Sequence, residues 1–215
     1  MEHNPTFAHA SYRTIASPVT TTLIEKKSRF LCSLSPIASV AEAQAHLAEI
    51  RKEHWSANHH CYAFRLLDGT ERSNDDGEPS GTAGRPILHV LTEQHLVGVL
   101  AVVTRYFGGT LLGAGGLVRA YSGAVAEAIK AAQMVTFAAH EKYVFPLSYA
   151  DFEKWQKGIF NESTWRVEVE YAEVVNLTLI VPETTSEHAR EEIASMTRSN
   201  AYMEAVERLW LPLKA

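Results

Sequence analysis

The spacing of apolar residues changes several times along the chain, and each change marks an element. Two short β-branched and apolar runs, Val19 to Ile24 and Arg29 to Leu34, are split by the polar Glu25-Lys26-Lys27-Ser28, the pattern of a hairpin. Val40, Ala43, Leu47 and Ile50 then recur at three- and four-residue steps, so they share one helix face, and Ser39 with Glu42 supplies a capping box at its start. From His59 to Leu67 the period falls to two: Tyr62, Phe64 and Leu66 face one way, His59, Cys61, Ala63 and Arg65 the other. A polar loop, Asp68 to Arg85, leads into a short apolar segment, Pro86 to Leu91, expected as a helix. Val97 to Tyr106, rich in valine, reads as a buried strand, and Leu117, Tyr121, Ala124, Val125, Ala128, Ile129 and Ala132 form a helical stripe.

Beyond residue 139 the order is strand (Tyr143 to Ser148), helix (Ala150 to Ile159), two strands (Trp165 to Tyr171, Val174 to Val181), helix (Thr185 to Arg198) and strand (Tyr202 to Leu211). That βαββαβ order is the ferredoxin-like unit. The expected architecture is therefore α+β in two domains, residues 1–138 and 139–215, with a short junction near Phe137 to Glu141. Trp155, Trp165, Tyr202 and Trp210 are expected in the core or at its edge, with Glu168 and Glu170 on a solvated strand face.

Composition adds a charge asymmetry. Residues 1–138 hold twelve Lys/Arg and twelve Asp/Glu, whereas residues 139–215 hold eight and thirteen, so the formal charge of −5 belongs to the second segment. Attraction to a polyanion must come from local patches in the first. The apolar run Leu96 to Val103 is too short to cross a bilayer and Met1 to Pro5 lacks the features of a signal peptide, so a cytosolic protein without membrane contact is expected. Cys32 and Cys61 are expected as reduced, buried thiols.

Eleven of the twelve glycines fall between Gly69 and Gly123, and the densest run, Gly108-Gly109-Thr110-Leu111-Leu112-Gly113-Ala114-Gly115-Gly116, joins the valine strand to the striped helix. Backbone N–H groups of Gly113, Gly115 and Gly116 at a helix start would converge on an anion with the helix dipole behind them. Arg105 just before the run and Arg119, expected in the first helical turn, strengthen a phosphate reading, since a cation there is unfavourable without an anion. The competing reading is that the glycines only permit tight packing. Named nucleotide motifs do not fit: Val118 stands at the third fingerprint glycine and Ala114 at the Walker lysine.

Asp75, Asp76 and Glu78 place three acids in four residues, but Arg72 and Ala83 occupy the first and last EF-hand ligand positions, which excludes that loop. What remains is either a Mg²⁺ shared with a bound phosphate or an acidic turn whose carboxylates cap backbone N–H groups. Ser80 lacks the flanking glycines of a nucleophile elbow. His59 and Cys61 share a strand face at about 7 Å, too far for direct proton transfer, and His60 points away. His59 is instead expected to donate to a bound phosphate or to pack at the strand edge.

Asp75 to Pro86, Arg105-Tyr106-Phe107-Gly108-Gly109, Leu112 to Tyr121 and His59-x-Cys61-Tyr62-Ala63 together resemble the YigZ/IMPACT family over about residues 20–130. The resemblance implies a first domain of the ribosomal protein S5 domain 2-like kind and a C-terminal domain similar to the last domain of elongation factor G, without implying a defined reaction. Eukaryotic members resemble regulators of translation but carry an extra N-terminal RWD domain; about seventeen residues precede the first expected strand, so that role is not carried over. His60 stands where the family more often has asparagine, which leaves His59 as the residue to carry over.

The sequence reading is thus a non-enzymatic protein of translation regulation, without a cofactor, that binds RNA or the ribosome. Its contacts would be Arg85, Arg105, Arg119, His59 and the backbone at Gly108, Gly109, Gly113, Gly115 and Gly116. Its rivals are an enzyme acting on a phosphorylated or nucleotide substrate, with Asp75, Asp76 or Glu78 holding Mg²⁺, and a scaffold for translation-related proteins built on the acidic second domain.

Overall fold

The computed structural model describes residues 11–158, 165–196 and 207–213. The helix ends expected at Ile159 and Arg198 and the strand start expected at Tyr202 lie outside them. The protein is α+β with antiparallel sheets, and its contacts divide it into two compact units that meet in sequence between Thr136 and Phe137.

In the first unit a short strand β1 (Ser11–Ile15) is followed by the hairpin β2 (Val19–Glu25) and β3 (Ser28–Pro36), and by helix α1 (Val40–Glu53). The capping box forms: Ser39 accepts from the Glu42 N–H at 3.2 Å, and Glu42 reaches back to the Ala38 N–H at 2.7 Å. Next come β4 (His59–Arg65), β5 (Glu71–Asn74), α2 (Gly84–Glu93), β6 (Val99–Tyr106) and α3 (Ala114–Ala131). The sheet order is β2-β3-β6-β4-β5.

Central β6 is buried along nearly its whole length and distributes its side chains to two cores. Leu100 and Val102 meet α1 through Ala43 and Leu47, with Phe64 of β4 beside them. Val99, Ala101 and Val103 face the other way, toward α2 and the α3 stripe of Leu117, Tyr121, Ala124, Val125 and Ala128. Each fully buried valine or leucine contributes roughly 1.5–3 kcal/mol, so both faces of β6 hold helices in place.

Several expectations change, among them the short junction at Phe137 to Glu141 and the strand start at Tyr143, both of which fall inside one continuous strand, Met134–Leu147. The polar loop after Leu67 contains β5, an exposed edge strand paired with β4, and the helix after it starts at Gly84 rather than Pro86. A strand, β1, precedes the hairpin. Helix α3 begins at Ala114, which puts Gly115 and Gly116 inside it and moves Arg119 out of the first turn into the second.

In the second unit β7 (Met134–Leu147, from Phe137 onward), α4 (Tyr149–Gly158), β8 (Arg166–Tyr171), β9 (Val175–Pro182), α5 (Ser186–Met196) and β10 (Glu207–Pro212) form a sheet of order β10-β7-β9-β8, every pair antiparallel. Trp155 and Trp165 are buried with Val175, Leu177 and Leu179, while Glu168 and Glu170 are exposed.

The tightest backbone approach is at Gly108, where an added Cβ would lie 2.1 Å from the Lys27 carbonyl carbon of the β2–β3 turn. Gly108→Ala is expected to cost more than about 2 kcal/mol, because backbone rather than a side-chain end must move. Thermal and urea denaturation of the variant checks this; a loss below about 0.5 kcal/mol would show that the turn yields freely.

Candidate anion-binding site at a glycine-led helix

The two helices with a glycine at their start, Gly84 as the first residue of α2 and Gly113 as the N-cap of α3, treat their N-termini differently. At α2 the protein supplies its own anion. Asp75 follows β5 and turns back, so that Oδ1 accepts from the N–H groups of Ala83 (3.0 Å) and Gly84 (2.8 Å) and Oδ2 from that of Gly81 (2.9 Å). Burial pushes this carboxyl upward, but the three N–H donors and the nearby Arg85 charge outweigh it and hold the pKa below its ordinary value. Among the described residues no side chain is hydrogen-bonded to the first-turn N–H groups of α3, and that turn holds no acid. The N-cap there is Gly113, at φ 73°, a left-handed conformation in which glycine avoids the Cβ clash.

Beside that open end lies a cavity of about 440 Å³ lined by Gly113, Ala114, His59, Glu78, Arg105 and Phe107, among others. Its polar wall is one connected group. The Glu78 side chain, only 3 % exposed, accepts through Oε1 from Arg105 Nη1 at 2.6 Å and from the Tyr121 hydroxyl at 2.7 Å. His59 Nε2 stands 3.9 Å from the same oxygen, while His59 Nδ1 lies 2.8 Å from the Asp76 carbonyl. A carbonyl can only accept, so Nδ1 carries a proton. Burial and contact with Glu78 and Cys61 push the Tyr121 phenol upward, which keeps it a donor to Glu78. The Cys61 thiol donates to the Asp75 carbonyl at 2.9 Å, and burial pushes it up to about 12. It is no nucleophile at neutral pH.

The expected phosphate contacts therefore separate. Arg105, written from sequence as a contact beside Arg119, is buried at 5 % exposure and committed to Glu78. His59, Arg105 and Gly113 line the cavity; Gly116 and Arg119 line a neighbouring cleft of about 200 Å³ with Lys26 and Leu112. Arg85 is exposed at the start of α2, outside both. Gly108 packs on the Lys27 backbone, and Gly109, at φ 82°, and Gly115 sit in open space or ordinary contact.

In the acidic turn only Asp75 is held wholly by backbone N–H groups. Asp75 binds three N–H groups, Asp76 takes Arg51 Nη2 at 2.7 Å and the His60 N–H at 2.7 Å, and Glu78 is held as above. Among the described residues no group of three His, Cys, Asp or Glu is arranged to hold a metal ion. Sequence reasoning missed Tyr121 as a polar partner and Asn58, whose Oδ1 accepts from the Phe107 N–H at 2.8 Å and whose residue lines the cavity. Tyr121 was hidden in an apolar stripe, and Asn58 carried no spacing signal.

Residues 26–129, which hold this entire arrangement, match the Impact N-terminal domain. Over these residues the chain belongs to the YigZ/IMPACT family. It is similar to the IMPACT family member YvyE of Bacillus subtilis, 48 % identical over 121 residues, and to the IMPACT family member YigZ of Escherichia coli, 44 % identical over 119. These matches cover 55 % and 54 % of this chain and 56 % and 58 % of those relatives, so the chain spans little more than half the length of the curated proteins it matches. A solved structure described as that of a hypothetical protein is similar over 93 % of this chain and 98 % of that one, at 31 % identity and a TM-score of 0.63.

Two outcomes follow from the charge pairing. Arg105→Ala leaves Glu78 buried without its cation and is expected to cost about 3–5 kcal/mol, whereas Arg119→Ala, at an exposed position, stays within about 0.5 kcal/mol. Denaturant unfolding of both variants distinguishes them, and equal losses would break the assignment. Asp75, with its folded pKa depressed, contributes stability present above its unfolded pKa of about 3.9 and lost as pH falls through the lower folded value. Asp75→Asn should therefore be less stable than the parent at pH 7, with the gap closing toward pH 2; a gap independent of pH would contradict the ionised cap.

Proposed function

We propose that this protein binds RNA, free or within the ribosome, through the open N-terminus of α3, and that it does so as a regulator of translation rather than as an enzyme. The single observation that carries the reading is the contrast between the two glycine-led helices: α2 is capped by Asp75, while the first turn of α3, beside a cavity, meets no side-chain acceptor among the described residues. Positive dipole ends and first-turn N–H groups receive phosphates. The engagement of Asp75, Asp76 and Glu78 by protein donors supports binding over Mg²⁺-dependent turnover, because a phosphoryl-transfer site needs carboxylates free for the ion.

The translational setting follows from the family resemblance. So does the assignment of the first domain, residues 1–138, as ribosomal protein S5 domain 2-like, with which a β2-β3-β6-β4-β5 sheet carrying helices on both faces is compatible. For residues 139–215 the antiparallel pairings β10–β7, β7–β9 and β9–β8 with two helices support the ferredoxin-like reading. No helix among the described residues is long and apolar enough to cross a membrane, and a cytosolic location is part of the proposal.

Anisotropy of a labelled RNA oligomer across a salt series tests this. Log affinity should fall linearly with log salt, and Arg119→Ala should weaken all sequences alike while reducing the slope by about 0.7, the single-strand value for one phosphate. Absence of RNA binding at low salt, by a chain that melts cooperatively, would remove the reading.

A further inference from the structure

We infer that the RNA held here is single-stranded, with one base turned out of its stack into the 440 Å³ cavity and a flanking phosphate in the cleft at Lys26 and Arg119. This rests on the RNA reading above and adds the state of the strand. The cavity walls are largely hydrocarbon, from Pro79, Phe107, Leu111, Leu112 and Leu117. Such walls suit the flat face of a base and would desolvate a phosphate at a cost. The volume falls in the range of pockets that hold small organic groups, roughly 300–1,000 Å³.

Phe107 and Leu111 stand at 45 % and 82 % exposure although both line the cavity. The Arg105 guanidinium lies 5.5 Å from the Phe107 ring centroid and so steadies the aromatic platform. A few polar groups remain to orient a base. Asn58 and His59 stand in the wall, while the Arg105 guanidinium is spent on Glu78 and its Nε, though without a hydrogen-bond partner, is shielded from the cavity.

The phosphate position comes from the cleft next door. Leu112 belongs to both recesses, so they lie on two sides of one side chain, as a base and its phosphate lie on two sides of one ribose. Lys26 and Arg119 line the cleft with Gly116, and Glu25 is the one acid among the lining residues. Among the described residues neither cation is held in an ion pair. Lys26 and Lys27 both adopt left-handed φ, 45° and 66°, in a two-residue turn that Asn-Gly would make with less strain. The fold thus sets two lysines at a hairpin tip whose backbone touches Gly108.

The full chain decides this by anisotropy with four probes: a single-stranded RNA octamer, an abasic octamer of equal charge, an RNA duplex and a nucleoside monophosphate. The base-bearing single strand should bind at least about tenfold tighter than the abasic strand and the duplex. Phe107→Ala and, independently, Leu111→Ala should erase that difference without lowering the melting temperature, since both side chains are exposed. Lys26→Ala should weaken the octamer and the abasic strand equally.

Equal affinity for the abasic strand or the duplex would overturn the base pocket while leaving the phosphate reading intact. A monophosphate binding as tightly as the octamer would overturn it in favour of a small-molecule site. Failure of all four probes would remove both readings.

Discussion

One carboxylate oxygen, Glu78 Oε1, holds the first unit's site together. It accepts from Arg105 on β6 and Tyr121 on α3 and faces His59 on β4, while Glu78 itself belongs to the turn that leads into α2. Four pieces of chain thus converge on one buried charge. An ion so far from water costs several kcal/mol to desolvate, and the cost is offset only because both its partners are good donors at short distance. The requirement also works in reverse. Anything that shifted α3 along the sheet would strand Tyr121 or Arg105, so the registry of the helix against β6, and with it the position of Gly113 beside the cavity, is fixed by the pair.

An uncapped helix end is a local weakness that α3 tolerates for a reason visible in its packing. Helices in proteins take most of their stability from the buried face, and this one buries seven residues from Leu117 to Ile129. Gly115 shows that the first turn is not optimised for stability. Its backbone φ is not left-handed, and a Cβ there would meet only the Arg119 guanidinium at 3.6 Å, an ordinary contact. Alanine would fit and would favour the helix by about 1 kcal/mol. Packing explains Gly108 but not Gly115, where a bare backbone is what the proposed approach of a phosphate would require.

What could be read from the sequence follows from period and proximity. The β2–β3 hairpin, the alternation of β4 and the α3 stripe have strong local patterns, and each is found where its pattern lies. β5 has none, because all four of its residues are exposed and its pairing depends on an edge of β4 that no local pattern announces. The start of α3 at Ala114 is poorly marked in the sequence, because the glycines around it carry a turn signal rather than a helical one. At the site, the backbone elements were legible while the pairing was not: Glu78 lies 27 residues from Arg105 and 43 from Tyr121, and nothing in spacing joins an acid in a polar loop to a tyrosine in an apolar stripe.

A protein of net charge −5 meets a polyanion only if its cations are left unspent where contact occurs. The second unit spends many of its own. Arg190 is 3.0 Å from Glu141, Arg208 2.8 Å from Glu183, Lys154 3.3 Å from Asp151 and Lys142 3.8 Å from Glu207. In the first unit Arg105, Arg51 and Arg65 are likewise spent on Glu78, Asp76 and Glu71, each at a strand or turn that the pair helps to position. Among the described residues of the first unit several cations are in no ion pair, Lys27, Lys52, Arg72 and Arg85 among them, and two more unpaired cations, Lys26 and Arg119, share one cleft beside the uncapped helix. A solvated cation gains little from an exposed carboxylate and is readily redirected to a phosphate, whose approach releases counterions from the nucleic acid. The distribution of pairing, more than the total charge, decides where cations remain for a polyanion, and the cleft beside the glycine-led helix is one place where two of them stand together.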